Sequence, residues 1–340
     1  MPEWKVYYLD DDSESIQGPD KYVKSKKYWF FRYDTRNLFD VDVIDCRLYR
    51  EFQMKYLNFY LTQSISCYSR CNKYNLFFSH GFKSAAMFSM LCKVLNNKKC
   101  HYIFDVGCVN GARSNSKYFM LYRKALESNC FLISHTKCQL DFYKKNLSLV
   151  NDPIYIPFGV DTEYFHPKGI EKKEYILSFG NSLRDYNTLL KSWSKMDSHT
   201  ELHLVGASPV SNKYSKNIKV FPRMTIADLM RKIEESLFVI VPLPVQNYSH
   251  GQMSVLQSMS MGTPVVVTKV PSTIDYIEDG NGAIFVKPYD ASDMYDKIKY
   301  MLDNENRIEL ASKARRFVID NCNEKIMAKQ IFDYVISTCS

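Results

Sequence analysis

Short apolar runs alternate with longer amphipathic segments along most of the 340-residue chain. The runs are rich in β-branched and aromatic residues and end at polar or glycine-containing stretches, which is typical of buried parallel strands. Runs of this kind occupy residues 6–9, 75–78, 102–104, 130–133, 175–177, 202–205, 218–221, 237–241 and 264–267. Helical periodicity lies between them, for example in 186–196 and 225–236. The alternation predicts an α/β fold with doubly wound parallel sheets.

The strands fall into two groups on either side of the segment 154–167. This segment contains Pro157, Gly159 and Pro167 around a polar turn, a composition that favours a domain boundary. The chain length also indicates two domains, at roughly 150 residues each. We therefore expect one Rossmann-like domain over residues 1–158, a second over 159–322, and a final helical segment over 323–340.

The net charge of +8 is unevenly distributed. Residues 1–160 contain 23 Lys and Arg against 15 Asp and Glu, whereas the rest of the chain contains 22 of each. Such a basic half favours an anionic membrane surface, nucleic acid or a phosphorylated acceptor, although it also serves solubility alone. No basic motif interleaved with aromatic residues, as in nucleic-acid binders, is visible.

The compartment and the metal content also follow from simple patterns. Neither a signal peptide nor an apolar run of about 18 residues is present, so we expect a cytoplasmic chain without a spanning helix. The ten cysteines form no Cys-x-x-Cys pair, and Cys67 and Cys71 lack two further zinc ligands. Asp10–Asp12 and Asp40–Asp42 resemble a metal-binding Asp-x-Asp, but we interpret them as solvated acidic runs. We predict no metal site.

The most informative segment is 247–267. After a hydrophobic strand, a loop contains Ser249, His250 and Gly251, and a helix is predicted from about Gln252 to Met261. The unpaired amides and the positive dipole end of such a helix favour a phosphate group, and Gly251 allows the backbone to come close to a ligand. An ordinary strand–helix turn is the alternative interpretation.

A second strand–loop–helix unit spans 175–190 and contains Gly180, Asn181 and Arg184. The guanidinium of Arg184 has the geometry to bind a diphosphate through two hydrogen bonds. A solvated loop arginine is the alternative. Both loops are predicted at the carboxyl ends of strands, where open α/β sheets bind ligands.

These segments together resemble glycosyltransferases of the GT-B fold, family 4 type, which use nucleotide sugars. The resemblance rests on Gly251-Gln252, on the segment 259–266, on 184–189 and on the junction 156–167. It implies two Rossmann-like domains facing each other across a cleft, with the donor in the C-terminal domain and the acceptor in the N-terminal domain. It also implies that the last helix packs back toward the N-terminal domain.

The resemblance assigns donor binding to a set of residues and also shows departures from the family pattern. The two usual glutamates correspond to Ser249 and Gln257, and Gln257 retains groups that can bind ribose hydroxyls. The usual Arg and Lys correspond to Asn181 and Tyr186, so Arg184 is our substitute. The predicted donor-binding residues are Gly180, Asn181, Arg184, Ser249, His250, Gly251, Gln252, Met253, Ser254 and Gln257.

The implied activity is that of a retaining, hexosyltransferase-type enzyme with a UDP- or GDP-linked sugar, no cofactor and no metal. The acceptor is expected to be a glycan or a lipid-linked glycan at the inner membrane face. In the N-terminal half, His80 and Asp105 follow apolar strands, and we predict them as catalytic base candidates. His80 could instead cap the next helix.

Three alternatives remain. Ser249 and Gln257 fit a non-catalytic partner subunit of another transferase. The basic stretch 46–150 fits a glycosyltransferase acting on DNA. A nucleotide-sugar epimerase of similar fold is the third.

Overall fold

The computed structural model describes residues 4–10, 29–45, 50–57, 59–80, 82–107, 119–180, 183–197, 199–207 and 217–339. The chain divides into two units. The first takes in the described residues up to Pro157, together with Asn247–Ser249 and the chain from Met327 onward. The second comprises Phe158–Gln246 and His250–Ile326.

The first unit contains a parallel sheet of six strands within the described residues, in the order β2-β1-β3-β4-β5-β6. The strands are β1 (Trp4–Asp10), β2 (Phe39–Asp45), β3 (Leu76–His80), β4 (Cys100–Phe104), β5 (Cys130–Ser134) and β6 (Ile154–Tyr155). The helices between them are α1 (Arg50–Tyr56), α2 (Leu61–Ser69), α3 (Phe82–Val94), α4 (Phe119–Leu126) and α5 (Lys137–Asn146).

The second unit repeats this architecture. Its sheet also has six parallel strands among the described residues, in the order β12-β11-β10-β7-β8-β9. The strands are β7 (Tyr175–Phe179), β8 (Glu201–Val205), β9 (Ile218–Phe221), β10 (Val239–Val241), β11 (Val265–Thr268) and β12 (Ala283–Val286). The helices are α6 (Tyr186–Trp193), α7 (Ile226–Glu235), α8 (Gln252–Ser260), α9 (Ala291–Leu302) and α10 (Asn304–Asn321). The chain continues into α11 (Glu324–Cys339), which belongs to the first unit from Met327 onward.

The prediction of an α/β fold with two doubly wound parallel sheets is thus confirmed. Both faces of the second sheet are buried, as expected for parallel strands covered by helices. One face packs against α8 and α10, and the other against α6 and α9. Full burial of each such Val, Leu or Ile side chain contributes roughly 1.5–3 kcal/mol. Within the described residues, no helix is both long and apolar enough to cross a membrane.

The aromatic residues 28–31 suit either a core strand or a contact at a membrane edge, and the strand preference of aromatic residues favours the core strand. Phe30 and Phe31 are indeed buried, but Trp29–Tyr33 forms a 3-10 helix, so the strand prediction is wrong here. The Phe31 ring packs edge-on against Phe78 of β3, with centroids 5.2 Å apart. This tertiary packing outweighs the intrinsic strand preference of aromatic residues. Tyr28 lies outside the described residues.

The order of strands in the second sheet brings the two loops of interest together. β7 lies directly beside β10, and the chain winds outward from this pair in opposite directions. In open α/β sheets, such a switch point leaves a crevice at the carboxyl ends of the two strands, where ligands bind. The loop after Phe179 and the loop after Val241 therefore begin at the same crevice.

A buried histidine lies between two serines in the first sheet. In His101 of β4, Nε2 lies 2.7 Å from Ser79 Oγ, and Nδ1 lies 2.9 Å from Ser89 Oγ. A neutral imidazole has one donor and one acceptor, so one serine accepts a hydrogen bond and the other donates one. Burial lowers the pKa of His101 to about 3. The folded protein therefore keeps this ring neutral.

We predict that His101 makes the protein sensitive to mild acid. The unfolded chain binds a proton at His101 below about pH 6.5 and the folded chain does not, so stability falls as the pH drops from 6.5 toward 3. The slope is at most about 1.4 kcal/mol per pH unit. When the free energy of unfolding is measured in urea at pH 7.0, 5.5 and 4.5, it should depend less on pH in His101→Gln than in the wild type. The exposed control His199→Gln should not, and equal slopes in both variants would contradict the assignment.

Candidate functional site

The loop after β7 folds its arginine back onto the strand end. Arg184 Nε donates to the carbonyl oxygen of Phe179 at 3.1 Å, and Nη2 donates to Ser254 Oγ of α8 at 2.7 Å. Gly180 has a φ of +112°, and a Cβ placed there would lie 2.6 Å from Arg184 Nη2. Glycine therefore both permits the turn and leaves room for the guanidinium.

Electrostatically, this loop presents a partly desolvated cation. Burial lowers the pKa of Arg184 below its usual value, but an arginine side chain remains protonated in proteins. Burial also raises the pKa of Tyr186, whose hydroxyl donates to the carbonyl oxygen of Gly180 at 2.6 Å. A charge in such surroundings interacts more strongly with an anion than it does in water.

Asp185 connects the two loops and starts α6. Its carboxylate accepts hydrogen bonds from the amide and the hydroxyl of Thr188, at 3.1 and 2.6 Å, as an N-cap does. Its own amide donates to the carbonyl oxygen of Pro242, which follows β10, at 3.0 Å. The position of Arg184 is thereby tied to the carboxyl end of the neighbouring strand.

The loop after β10 ends at a left-handed glycine that begins α8. Gly251 has a φ of +80° and, lacking a side chain, gives the helix no side-chain cap. The amides of the first helical turn have no partners within the helix, and they lie at the positive end of its dipole. The Arg184 guanidinium, which bonds to Ser254 of the same turn, adds a positive charge, and groups of this kind favour a phosphate.

His250 holds this loop in shape. In its ring, Nε2 lies 3.0 Å from the carbonyl oxygen of Pro244, and Nδ1 lies 3.1 Å from Ser272 Oγ. The Ser272 hydroxyl also donates to the carbonyl oxygen of His250 at 3.0 Å. The ring is buried and faces these protein groups, so we expect it to serve donor binding through the shape of the loop.

The other predicted donor-binding residues of α8 lie in its first two turns. Gln252 is 8% exposed, and its Oε1 has no hydrogen-bond partner among the residues that the structure describes. Ser254 accepts from Arg184, and Gln257 is buried one turn after Met253. A buried, unpartnered carbonyl oxygen at a helix N-terminus is a polar group available to a ligand hydroxyl. Asn181 lies outside the described residues.

Ser249 is held differently. Although it directly precedes His250, it belongs to the first unit, where its amide donates to Gln139 Oε1 of α5 at 3.3 Å. Gln139 is fully buried, and its Nε2 donates to the hydroxyl of Tyr143. The sequence analysis did not single out Gln139, because a glutamine in an amphipathic helix gives no sign of a partner over a hundred residues away.

The two catalytic candidates of the first unit lie at the carboxyl ends of adjacent strands. His80 ends β3 and is paired in register with Phe104, which directly precedes Asp105. The His80 ring is half-buried and meets the Trp29 ring edge-on at 5.0 Å. Asp105 has a φ of +47°, and its Oδ1 accepts from the amide of His135 at 3.0 Å. One oxygen of Asp105 therefore has a structural role.

The charge pattern around α8 favours an anionic ligand. The stretch 236–274 contains β10, α8 and β11 but not a single Asp or Glu. No cluster of three or more His, Cys, Asp or Glu side chains suited to a metal ion occurs in the described part of the chain. Among the described residues at this crevice, the helix amides and Arg184 are positive groups that suit a phosphate.

Comparison with known proteins agrees with this geometry. Residues 174–304, which contain both loops, match the model of the family described as Glycosyl transferases group 1. The match covers 131 of the 340 residues. No curated protein sequence matches the chain. The predicted resemblance to glycosyltransferases is confirmed.

Solved structures show the same fold over nearly the whole chain. Sucrose-phosphate synthase from Thermosynechococcus elongatus has 15% identity, with 98% of each chain covered and a TM-score of 0.77. Anabaena HepE in complex with UDP-glucose has 12% identity and a TM-score of 0.72, and the alignment covers 98% of this chain and 100% of HepE. A glycosyltransferase from Rickettsia africae ESF-5 has 12% identity and a TM-score of 0.68, with 98% of each chain covered. The protein has the GT-B fold.

We predict that Gly251→Ala strains the second unit. Alanine pays about 1–2 kcal/mol in the left-handed region, and the new Cβ would lie 2.6 Å from Leu243 Cδ1. Gly169 is a matched control, because its φ is +78° but nothing lies within 4 Å of a Cβ there. Urea unfolding should show a larger decrease in the free energy of unfolding for Gly251→Ala than for Gly169→Ala. Equal losses would mean that the packing against Leu243 is unimportant.

Proposed function

We propose that this protein is a retaining glycosyltransferase of hexosyltransferase type, which moves a sugar from a nucleoside-diphosphate sugar to a glycan or lipid-linked acceptor. The observation that carries the proposal is the pairing of Arg184 with the uncapped start of α8 at the switch point of the second sheet. Solved structures of HepE contain UDP, UDP with glucose, or UDP-glucose, which supports a UDP-linked donor here.

In the proposed reaction, an acceptor hydroxyl forms a bond to the anomeric carbon while the bond from that carbon to the diphosphate oxygen breaks. Negative charge grows on the leaving diphosphate. The amides after Gly251 and the guanidinium of Arg184 stabilise that charge without reorganising, which is the form of catalysis expected to dominate. The acceptor proton leaves through a base, for which His80 and Asp105 remain our candidates. Because α8 and Arg184 supply the positive charge, the proposal includes no metal.

The test begins with a panel of nucleotide sugars. UDP, GDP, UDP-glucose and GDP-mannose are compared for their ability to raise the melting temperature, because a ligand that binds the folded state stabilises it by about 2.7 kcal/mol at 100 times its Kd. Release of nucleoside diphosphate from the stabilising donor is then measured with and without EDTA. No stabilisation by any member of the panel would contradict the proposal.

Arg184 is the side chain whose removal should reduce turnover most. We expect Arg184→Ala to lower turnover about 10²-fold or more, the scale of losing one donor to a developing charge. Arg316→Ala is the matched control, since its side chain is 87% exposed and pairs only loosely with Asp320 at 3.7 Å. Melting temperatures verify that both variants fold. Near wild-type turnover in Arg184→Ala would refute its assignment.

Two alternative functions predict different results. Donor binding and diphosphate release test the first, and DNA binding tests the second. The departures at Ser249 and Gln257 favour a partner subunit that binds a donor without using it, and such a protein would be stabilised by the donor but release no diphosphate. A DNA-modifying transferase is motivated by the basic stretch 46–150. It would bind duplex DNA in a salt-dependent manner, with release of counterions.

Location at an anionic membrane also remains a prediction. On α1, Phe52 and Tyr56 are 60% and 59% exposed, with ring centroids 4.9 Å apart, and Lys55 Nζ lies 5.3 Å from the Tyr56 centroid. Exposed aromatics beside a cation suit the interface of an anionic bilayer.

The membrane prediction can be tested by cosedimentation with vesicles of phosphatidylcholine, with and without phosphatidylglycerol. Binding should require the anionic lipid and weaken severalfold in the double variant Phe52→Ser, Tyr56→Ser. Ile308→Ser is the control. Ile308 is an equally exposed apolar residue, but it lies in residues 161–340, which contain equal numbers of basic and acidic side chains. Equal binding of all variants would contradict a role for α1.

A further inference from the structure

Two thiols meet where the last turn of α11 packs against β4. The hydroxyl of Tyr102 lies 2.6 Å from Thr338 Oγ1 and 3.0 Å from Cys339 Sγ. Cys100 precedes Tyr102 by two residues, so both side chains leave the same face of the sheet. The thiols of Cys100 and Cys339 lie close enough to shift each other's pKa. Side chains from opposite halves of the sequence thus form one small cluster within the first unit.

The cluster stabilises a thiolate on Cys339. The neighbouring Cys100 thiol, opposed by burial and helped by the hydrogen bond with Tyr102, lowers the pKa of Cys339 to about 7. The same contacts, together with burial, raise the pKa values of Cys100 and Tyr102, which therefore keep their protons and act as donors. The thiolate is the nucleophilic form of cysteine.

Other cysteines of the described chain lie in a different environment. Burial raises the pKa values of Cys92, Cys130 and Cys322 to about 12, and these three residues are buried. Cys100 and Cys339 are only partly buried. Reactivity of cysteine depends on thiolate character and on access, and this pair combines both.

We propose that Cys100 and Cys339 form a site of reversible oxidative modification, in which a peroxide converts the two thiols into a disulfide. The Cys339 thiolate attacks one oxygen of hydrogen peroxide, breaks the O–O bond and releases hydroxide, which leaves a sulfenic acid. The sulfur of Cys100 then attacks the Cys339 sulfur, the S–O bond breaks, and the Cys100 proton leaves with the hydroxyl group as water. A small dithiol reverses the bond by exchange.

The consequence is a covalent tie between α11 and β4. In the reduced protein the last turn of α11 is held there by hydrogen bonds of Tyr102 with Thr338 and Cys339, and helix ends of this kind open locally at little cost. A disulfide removes those open states and constrains the unfolded chain. Oxidation should therefore raise the melting temperature and slow proteolysis at α11.

The experiment treats the full-length reduced protein with a small excess of hydrogen peroxide at pH 7, blocks the remaining thiols with N-ethylmaleimide, and maps peptides without reduction. We expect a linked peptide pair containing Cys100 and Cys339, lighter by two hydrogen atoms and reversed by dithiothreitol. In Cys100→Ser, the sulfenic acid on Cys339 should persist and react with dimedone. Cys138→Ser, which removes another partly buried cysteine, should leave the linkage unchanged.

A second measurement remains decisive if a serine variant folds poorly. Alkylation of Cys339 by iodoacetamide should reach half its maximal rate near pH 7 in the wild type. The midpoint should move upward in Tyr102→Phe, which keeps the ring and removes one hydrogen-bond donor. Preferential oxidation of other cysteines, or a midpoint for Cys339 that Tyr102→Phe leaves unmoved, would overturn the proposal.

Discussion

The candidate site depends on the parallel pairing of β7 with β10. Leu177 lies in register with Val239, and its amide donates to the carbonyl oxygen of Phe238 at 3.1 Å. This pairing joins the two halves of the second sheet and makes the strand ends neighbours. The bond from Asp185 to Pro242 and the bond from Arg184 to Ser254 become feasible only because of it. The geometry of the candidate site is thus a product of strand order.

Most of the fold was predictable from the sequence because buried parallel strands are nearly uniform in composition. Runs such as 237–241 are apolar on both faces and short, so few alternatives compete with a central strand. The segment 28–31 shows the limit of this reasoning. Its aromatic residues favour a strand by composition, but packing against Phe78 and other buried rings holds them in a tight helical turn. Local composition carries no information about such a distant partner.

The site was predictable to a similar degree and for a related reason. Gly251 was predicted to let the backbone approach a ligand, and Gly180 was predicted as a donor-loop residue. Both have a positive φ at positions where a Cβ would crowd a neighbouring side chain. The direction of a side chain is set by distant contacts and escaped the sequence analysis. His250 is turned toward Pro244 and Ser272, and Ser249 is held by Gln139. Positions were therefore predictable, whereas contacts across the sequence were not.

The central claim is that α8 and Arg184 together hold the diphosphate of a nucleotide sugar. A crystal structure of the protein with bound UDP tests it most directly. In that structure, phosphate oxygens should lie within about 2.7–3.2 Å of an amide nitrogen in the first turn of α8 and of a guanidinium nitrogen of Arg184. UDP bound elsewhere, with the start of α8 and Arg184 contacting only water, would contradict it.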